Sequence, residues 1–196
     1  MTKGRLEAFS DGVIAVLITI LVLELKFPEG HVPDGTSFEA LRPMLSSLCY
    51  YVLSFVYLGI YWNNHHHMLH TATKVTGGIL WANLHLLFWL SLVPFLTAWM
   101  GDSHLAAVPT AAYAVDLLGA AFAYWILQNA IIASEGPESK LAKAVGKDWK
   151  GKLSQVLYLG AVVLAFVQPY ASVAIYVLVA LIWLVPDRRI EKHLAE

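Results

Sequence analysis

Cysteine occurs once in the 196 residues, at Cys49, so no internal disulfide and no CxxC metal or redox motif is available. Charge is also scarce. Asp, Glu, Lys and Arg make up 14% of the chain, against about 25% in soluble domains. No glycine-rich phosphate loop and no GxSxG nucleophile elbow is present, and nothing in the charge pattern suits nucleic acid. His, Ser and Asp are available, but no motif fixes a nucleophile, so an enzyme is the weakest reading.

What fills the chain is apolar. Hydrophobic residues reach 58% and mean hydropathy is +0.61, the composition of an integral membrane protein. A helix crosses roughly 30 Å of hydrocarbon with about 20 apolar residues. Six stretches qualify as spans of an all-α fold in one domain: about 5–26, 41–63, 77–100, 107–133, 152–168 and 170–186. The second is expected to run on as a helix into the histidine cluster. The last two are short and meet at Gln168-Pro169, which reads as a tight hairpin. Pro94 is expected to bend the third. The first is not a cleavable signal: it is too long, Asp11 interrupts it, and no small-residue cleavage site follows.

Alternating spans put eleven of the thirteen basic residues on one side: Lys3, Arg5, Lys74, Lys140, Lys143, Lys147, Lys150, Lys152, Arg188, Arg189 and Lys192. Only Lys26 and Arg42 fall opposite. The positive-inside rule then makes both termini cytoplasmic. The polar stretch 134–152 reads as a cytoplasmic loop, or as a short helix lying on the anionic leaflet.

The first span, "RLEAFSDGVIAVLITILVLEL", places a serine and a carboxylate inside an apolar helix. At 100° per residue, Arg5, Phe9, Gly12, Val16, Thr19, Ile20 and Leu23 fall on one stripe. Asp11, Ile14, Ile18 and Leu25 fall opposite, with Ser10 between. A carboxylate at the bilayer centre costs about 2.5–3.5 kcal/mol, less near an end, so Asp11 needs a partner. The candidates at matching depth are His65, His66 and Asn64 from "YWNNHHHMLH", with Trp81 and Asn83 from "WANLHLLFW". A histidine or indole N–H would satisfy the carboxylate internally.

These residues resemble a known family. "RLEAFSD" is similar to the RxxxFSD motif that opens the first helix of the transmembrane protein 175 potassium-channel family. "YWNNHH" on the second span, and Asn83 with Pro94-Phe95 on the third, look like its bacterial members. The resemblance implies a potassium-permeable channel without a TVGYG filter, built as a homotetramer of single six-helix repeats in the cell membrane. It implies that first helices line a central pore, with rings at Val16, then Thr19 and Ile20, then Leu23. It assigns Arg5, Phe9, Ser10 and Asp11 to tying the first helix to the second and third. No cofactor is implied, only the permeant potassium ion, lipid and further copies of the chain as partners. Val16 is smaller than the isoleucine or leucine often found at that ring.

An aliphatic ring gates by excluding water, and a Thr19 hydroxyl ring is the expected contact for a monovalent cation. Glu24, Glu29, Asp34 and Glu39 lie at the outer mouth, where they either concentrate cations or are simply solvated. His66 and His70 have a zinc-compatible spacing with His67 close by, but no carboxylate or cysteine completes a set, so no metal site is expected. His85 and Asp116 are ionisable residues inside spans. They define the runner-up, an ion- or proton-coupled transporter. Finally, Ala111, Ala112, Ala114, Gly119, Ala120 and Ala123 predict close approach of the fourth span to its neighbours.

Overall fold

The computed structural model describes residues 1–25, 44–146 and 148–184, and every regular element among them is helical. In chain order these are α1 (Lys3–Leu23), α2 (Leu45–His70), α3 (Gly77–Asp102), α4 (Ala107–Glu135), α5 (Lys140–Val145), α6 (Trp149–Ala165) and α7 (Pro169–Leu184). Four of them, α1 to α4, are long and apolar enough to cross a membrane. With 17 and 16 residues, α6 and α7 reach only about 25 Å at 1.5 Å per residue.

Among the described residues seven helices are seen where the sequence predicts six spans. The additional element is α5, a short helix in the polar stretch, which is therefore not wholly a loop. Ser139 caps it by accepting from the Ala142 N–H at 3.3 Å, and Leu141 and Ala144 are buried. Leu141 joins the same core cluster as Leu6 of α1, so α5 plugs that end of the bundle. The second span does continue as helix through the histidines to His70, and α3 runs unbroken through Pro94. Residues 41–43 and 185–186 of the expected spans, together with Lys26, Glu29, Asp34, Glu39, Arg42, Lys147, Arg188, Arg189 and Lys192, lie outside the described residues.

Two packed cores share α2, α3 and α4. One includes Ile14, Leu17 and Leu21 of α1 with Leu58, Leu86 and Leu90. The other joins Met100, Tyr113 and Leu117 to Tyr158, Tyr176 and Val179 from α6 and α7. The α3–α4 contact is the most extensive among the described elements. It is close at Gly119, where an added Cβ would fall 2.5 Å from the Trp89 indole. His85 is explained by the same contact: its Nε2 accepts from Trp89 Nε1–H at 3.0 Å, which orients the ring laid against Gly119.

Buried hydroxyls bind the second core crosswise. Ser54 on α2 bonds Thr97 on α3 at 2.6 Å and Tyr113 on α4 at 2.8 Å. Tyr57 donates to the Tyr176 carbonyl at 2.7 Å, and Tyr176 donates to the Thr110 carbonyl at 2.8 Å. Interhelical bonds of this kind contribute about 0.6 kcal/mol each on average in a membrane setting. Close packing at small residues therefore carries more of the stability than any one hydroxyl.

Replacing Gly119 by valine should lower stability by about 2 kcal/mol or more through overpacking against Trp89. Gly160, whose added Cβ would meet nothing within 4 Å, is the control, and its valine variant should be near neutral. Thermal unfolding of both variants in detergent tests the ordering.

Candidate functional site

The N-terminal half of α1 sits against the C-terminal end of α2 and the start of α3. Lys3 Nζ donates to the His70 carbonyl at 2.7 Å, placing a cation at the negative end of α2. That contact sets the antiparallel register. Eight residues up α1 from Lys3 is Asp11, and eight residues back along α2 from His70 is Trp62. At 1.5 Å per residue both lie about 12 Å from the contact, and they meet there: Trp62 Nε1–H donates to Asp11 Oδ1 at 3.0 Å.

One residue earlier, Ser10 is fully buried and receives Asn83 Nδ2–H from α3 at 2.9 Å. Asn83 Oδ1 lies 2.7 Å from His65 Nε2 on α2, and the Ser10 hydroxyl donates to the Leu6 carbonyl at 2.9 Å. The direction of these bonds decides a tautomer. Asn83 spends its amide N–H on Ser10, so its oxygen must accept, and His65 must carry its proton on Nε2. The result is one relay from α2 through α3 to the backbone of α1, with every member buried.

These placements differ from the sequence expectation in three respects. The packed face of α1 runs through Leu6, Ser10, Ile14, Leu17 and Leu21, so its centre is Ser10 and not Asp11. Asp11 is only half-buried and sits at the flank. Its donor is Trp62, which was passed over in favour of the histidines and Trp81. Trp81 is 75% exposed and joins no part of this network, while His66 is exposed and rests its ring 6.3 Å from that of Trp62. Asn64 bonds its own helix, donating to the Ile60 carbonyl at 2.8 Å. The signal that finds Trp62 is the antiparallel register, which becomes readable once Lys3 is paired with His70.

The motif residues divide between two faces. Ser10 and Asp11 hold the helix, whereas Arg5 and Phe9 are exposed on the other side, and Arg5 pairs with none of the described residues. The same side carries Gly12, Val16, Thr19 and Leu23, with Val16 55% and Leu23 73% exposed, and Ile20 half-buried at the edge. Among the described residues this stripe has no partner. The Thr19 hydroxyl donates to the Val16 carbonyl at 2.8 Å, which consumes its proton and leaves oxygen lone pairs outward. Glu24 ends the helix beside a cleft of about 10 Å3 that Asp102 also lines.

The remaining candidates do not converge on a second site. His66, His67 and His70 stack with centroids 5.8 and 6.4 Å apart, yet the described residues contain no group of three or more ligands able to hold a metal. His85 is exposed and bonded to Trp89. Asp116 is 1% exposed with neither oxygen hydrogen-bonded, so no hydrogen bond joins the two.

The family described as endosomal/lysosomal potassium channel TMEM175 matches residues 5–94. Over all 196 residues, and over the whole of the relative, the chain is 55% identical to a protein from Chryseobacterium sp. (strain P1-3) named a potassium channel. The chain belongs to the TMEM175 family. Its fold matches the crystal structure of a lysosomal potassium-selective channel TMEM175 homolog from Chamaesiphon minutus. That match has a TM-score of 0.82 and 28% identity, covering 94% of this chain and 97% of that one. The Gallus gallus endosomal/lysosomal proton channel TMEM175 is 38% identical over 85 residues, which is 39% of this chain and 17% of that protein. The residues matched by the TMEM175 family begin at Arg5 and contain α1 from there on, with Trp62, His65 and Asn83.

Breaking the relay should cost more than breaking the flanking bond. Asn83→Ala removes two buried hydrogen bonds and strands the His65 N–H, a loss of about 2 kcal/mol. Trp62→Phe removes one bond at an exposed site and should cost about 1 kcal/mol or less. Unfolding midpoints in detergent for the two variants give the comparison.

Proposed function

We propose that this chain forms a passive potassium-permeable channel in the cell membrane, with four copies of α1 around a central axis. The observation that carries the reading is the division of α1 into a face locked to α2 and α3 and a stripe left without a partner. Rotating the helix would break the Ser10–Asn83–His65 relay and the Asp11–Trp62 bond together. Those bonds therefore hold Val16, Thr19 and Leu23 toward whatever lies outside the chain. The names of the relatives and the solved homologue support an ion channel there.

Four such helices would stack rings of Val16, Thr19, Ile20 and Leu23. Valine, isoleucine and leucine cannot coordinate a cation, so their rings act by excluding water when narrow. A partly hydrated ion passes when the neck widens. The Thr19 oxygen, with its proton committed to Val16, can replace hydration water at that level. Potassium gives up hydration at lower cost than sodium, so a neck that forces partial dehydration favours it.

Both termini are assigned to the cytoplasmic side. The described basic residues Lys3, Arg5, Lys74, Lys140, Lys143, Lys150 and Lys152 gather at one end of the bundle, where α1 begins and α4 ends. The positive-inside rule supports that orientation. A transporter coupled through His85 and Asp116 would need those groups to converge at one site, and they face different surroundings.

The decisive measurement is a reversal potential under bi-ionic potassium and sodium in reconstituted membranes, expected to show potassium preference without a coupled ion. Val16→Asn should raise conductance severalfold and weaken selectivity by wetting the neck. Thr19→Val should lower potassium current. Unchanged currents in both variants would remove α1 from the pore.

A further inference from the structure

A cavity of about 40 Å3 lies between α2, α4, α6 and α7, on the far side of α2 and α4 from α1. Six aromatic side chains line it: Tyr57, Tyr61, Tyr124, Trp125, Tyr158 and Trp183. Ile60, Asn64, Ala121, Asp148, Gly151 and Ser154 complete the lining, in which Asp148 is the one carboxylate and no lysine, arginine or histidine takes part. We propose that this cavity binds a small organic ammonium ion, held by the ring faces and the Asp148 carboxylate.

The walls are arranged as a cage. Tyr61 and Tyr124 meet edge to face, with centroids 6.2 Å apart and planes at 63°. Tyr124 and Trp183 repeat the arrangement at 6.4 Å and 69°. Rings lining one cavity at steep angles to each other are the kind of wall that an alkylammonium can meet through π faces. Trp183 already meets one: Lys150 Nζ, from outside the lining, stands 5.8 Å from its ring centroid.

Four of the hydroxyl and indole donors that line the cavity are committed elsewhere. Tyr158 donates to the Tyr57 hydroxyl at 3.2 Å, and Tyr57 donates to the Tyr176 carbonyl at 2.7 Å. Tyr124 donates to the Asn64 carbonyl at 3.3 Å, and Trp183 Nε1–H donates to Ser154 Oγ at 2.9 Å. The aromatic rings and the Asp148 carboxylate are the groups of the lining that attract a cation. Asp148 is held in place as the N-cap of α6, with Gly151 N–H on Oδ1 at 3.3 Å and Gln128 Nε2 on Oδ2 at 3.4 Å. Both bonds are long for a carboxylate, whose two oxygens offer about four acceptor sites. Gly151 is required for this cap, since a Cβ there would fall 2.6 Å from Asp148 Oδ2.

Size selects within the class. At roughly 10–15 Å3 per water in this measure, the cavity holds about three waters. A primary ammonium on a two-carbon stem fits that space, whereas a tetraalkylammonium with long arms does not. Such a group occurs both in free amines and in ethanolamine lipid headgroups. Asp148 and the start of α6 lie at the end of the bundle that carries the basic residues, which is open to either source.

The test is a titration of detergent-purified, delipidated protein with ethylammonium chloride at constant ionic strength, read by tryptophan fluorescence. 1-Propanol is the neutral control and potassium chloride the competitor. The expected result is saturable binding of ethylammonium, no binding of 1-propanol, and no displacement by potassium. Asp148→Asn keeps the helix cap while removing the charge, so its unfolding midpoint should hold while affinity falls at least tenfold. Trp183→Phe should weaken binding severalfold. Mass spectrometry before delipidation separates the sources. An ethanolamine lipid retained by the wild type and lost from Asp148→Asn identifies a headgroup, and its absence together with ethylammonium binding identifies a free amine. Equal binding of 1-propanol, displacement by potassium, or unchanged affinity in Asp148→Asn would overturn the proposal. Because the readout is binding and not flux, failure here leaves the channel reading untouched, and loss of conduction leaves this site untouched.

Discussion

The hydrogen-bond relay from His65 through Asn83 to Ser10 is the constraint on which the rest depends. Each of its three side chains is buried in an apolar interior, where an unmade bond costs more than a made one contributes. The relay therefore works less as a source of stability than as a penalty on every other arrangement. It sets the rotation of α1 about its own axis, and the rotation of α1 decides which side chains leave the bundle uncovered. Two further contacts act along the axis. Lys3 on the His70 carbonyl and Trp62 on Asp11 fix the register to one residue.

Elsewhere the bundle uses the same economy of polar groups. Serine and threonine hydroxyls such as Ser54, Thr97 and Ser172 bond across helices or back to carbonyls, which spares those donors exposure to an apolar medium. Of the tyrosines of the second core, Tyr57 and Tyr176 donate to carbonyls, Tyr158 to Tyr57, and Tyr113 shares a bond with Ser54. This keeps their rings in place around the cavity between α2, α4, α6 and α7. Asp116 is the exception, with both oxygens buried and unbonded. It lies within electrostatic reach of Tyr61 and Tyr113, outside both the α1 stripe and the aromatic cage.

Much of the fold was legible because a lipid solvent restricts the choices. Long apolar runs have to be helices, and they have to alternate in direction, so α1 to α4 follow from composition and length. The stripe on α1 was legible too, since helical periodicity fixes which residues share a face whatever the surroundings. Small residues on α4 pointed to close packing, and Gly119 against Trp89 leaves no room for a Cβ. The element left open between loop and short helix is α5. Its sequence is polar on average, and only the burial of Leu141 under the bundle end reveals that it packs.

The sequence by itself determined the class of protein, the long helices and the partition of α1 into two faces, because hydropathy and the 3.6-residue repeat are local properties. Only the tertiary structure decided which polar groups meet. Asp11 could be satisfied by any indole or imidazole at its depth, and the list of candidates is longer than the list of partners. Trp62 reaches it because Lys3 and His70 set the register, a relation between residues 67 positions apart in the chain. For the same reason Ser10, and not the carboxylate beside it, became the buried centre of the helix. A neutral hydroxyl can be enclosed by one amide and its own backbone, while a carboxylate keeps part of its surface near water.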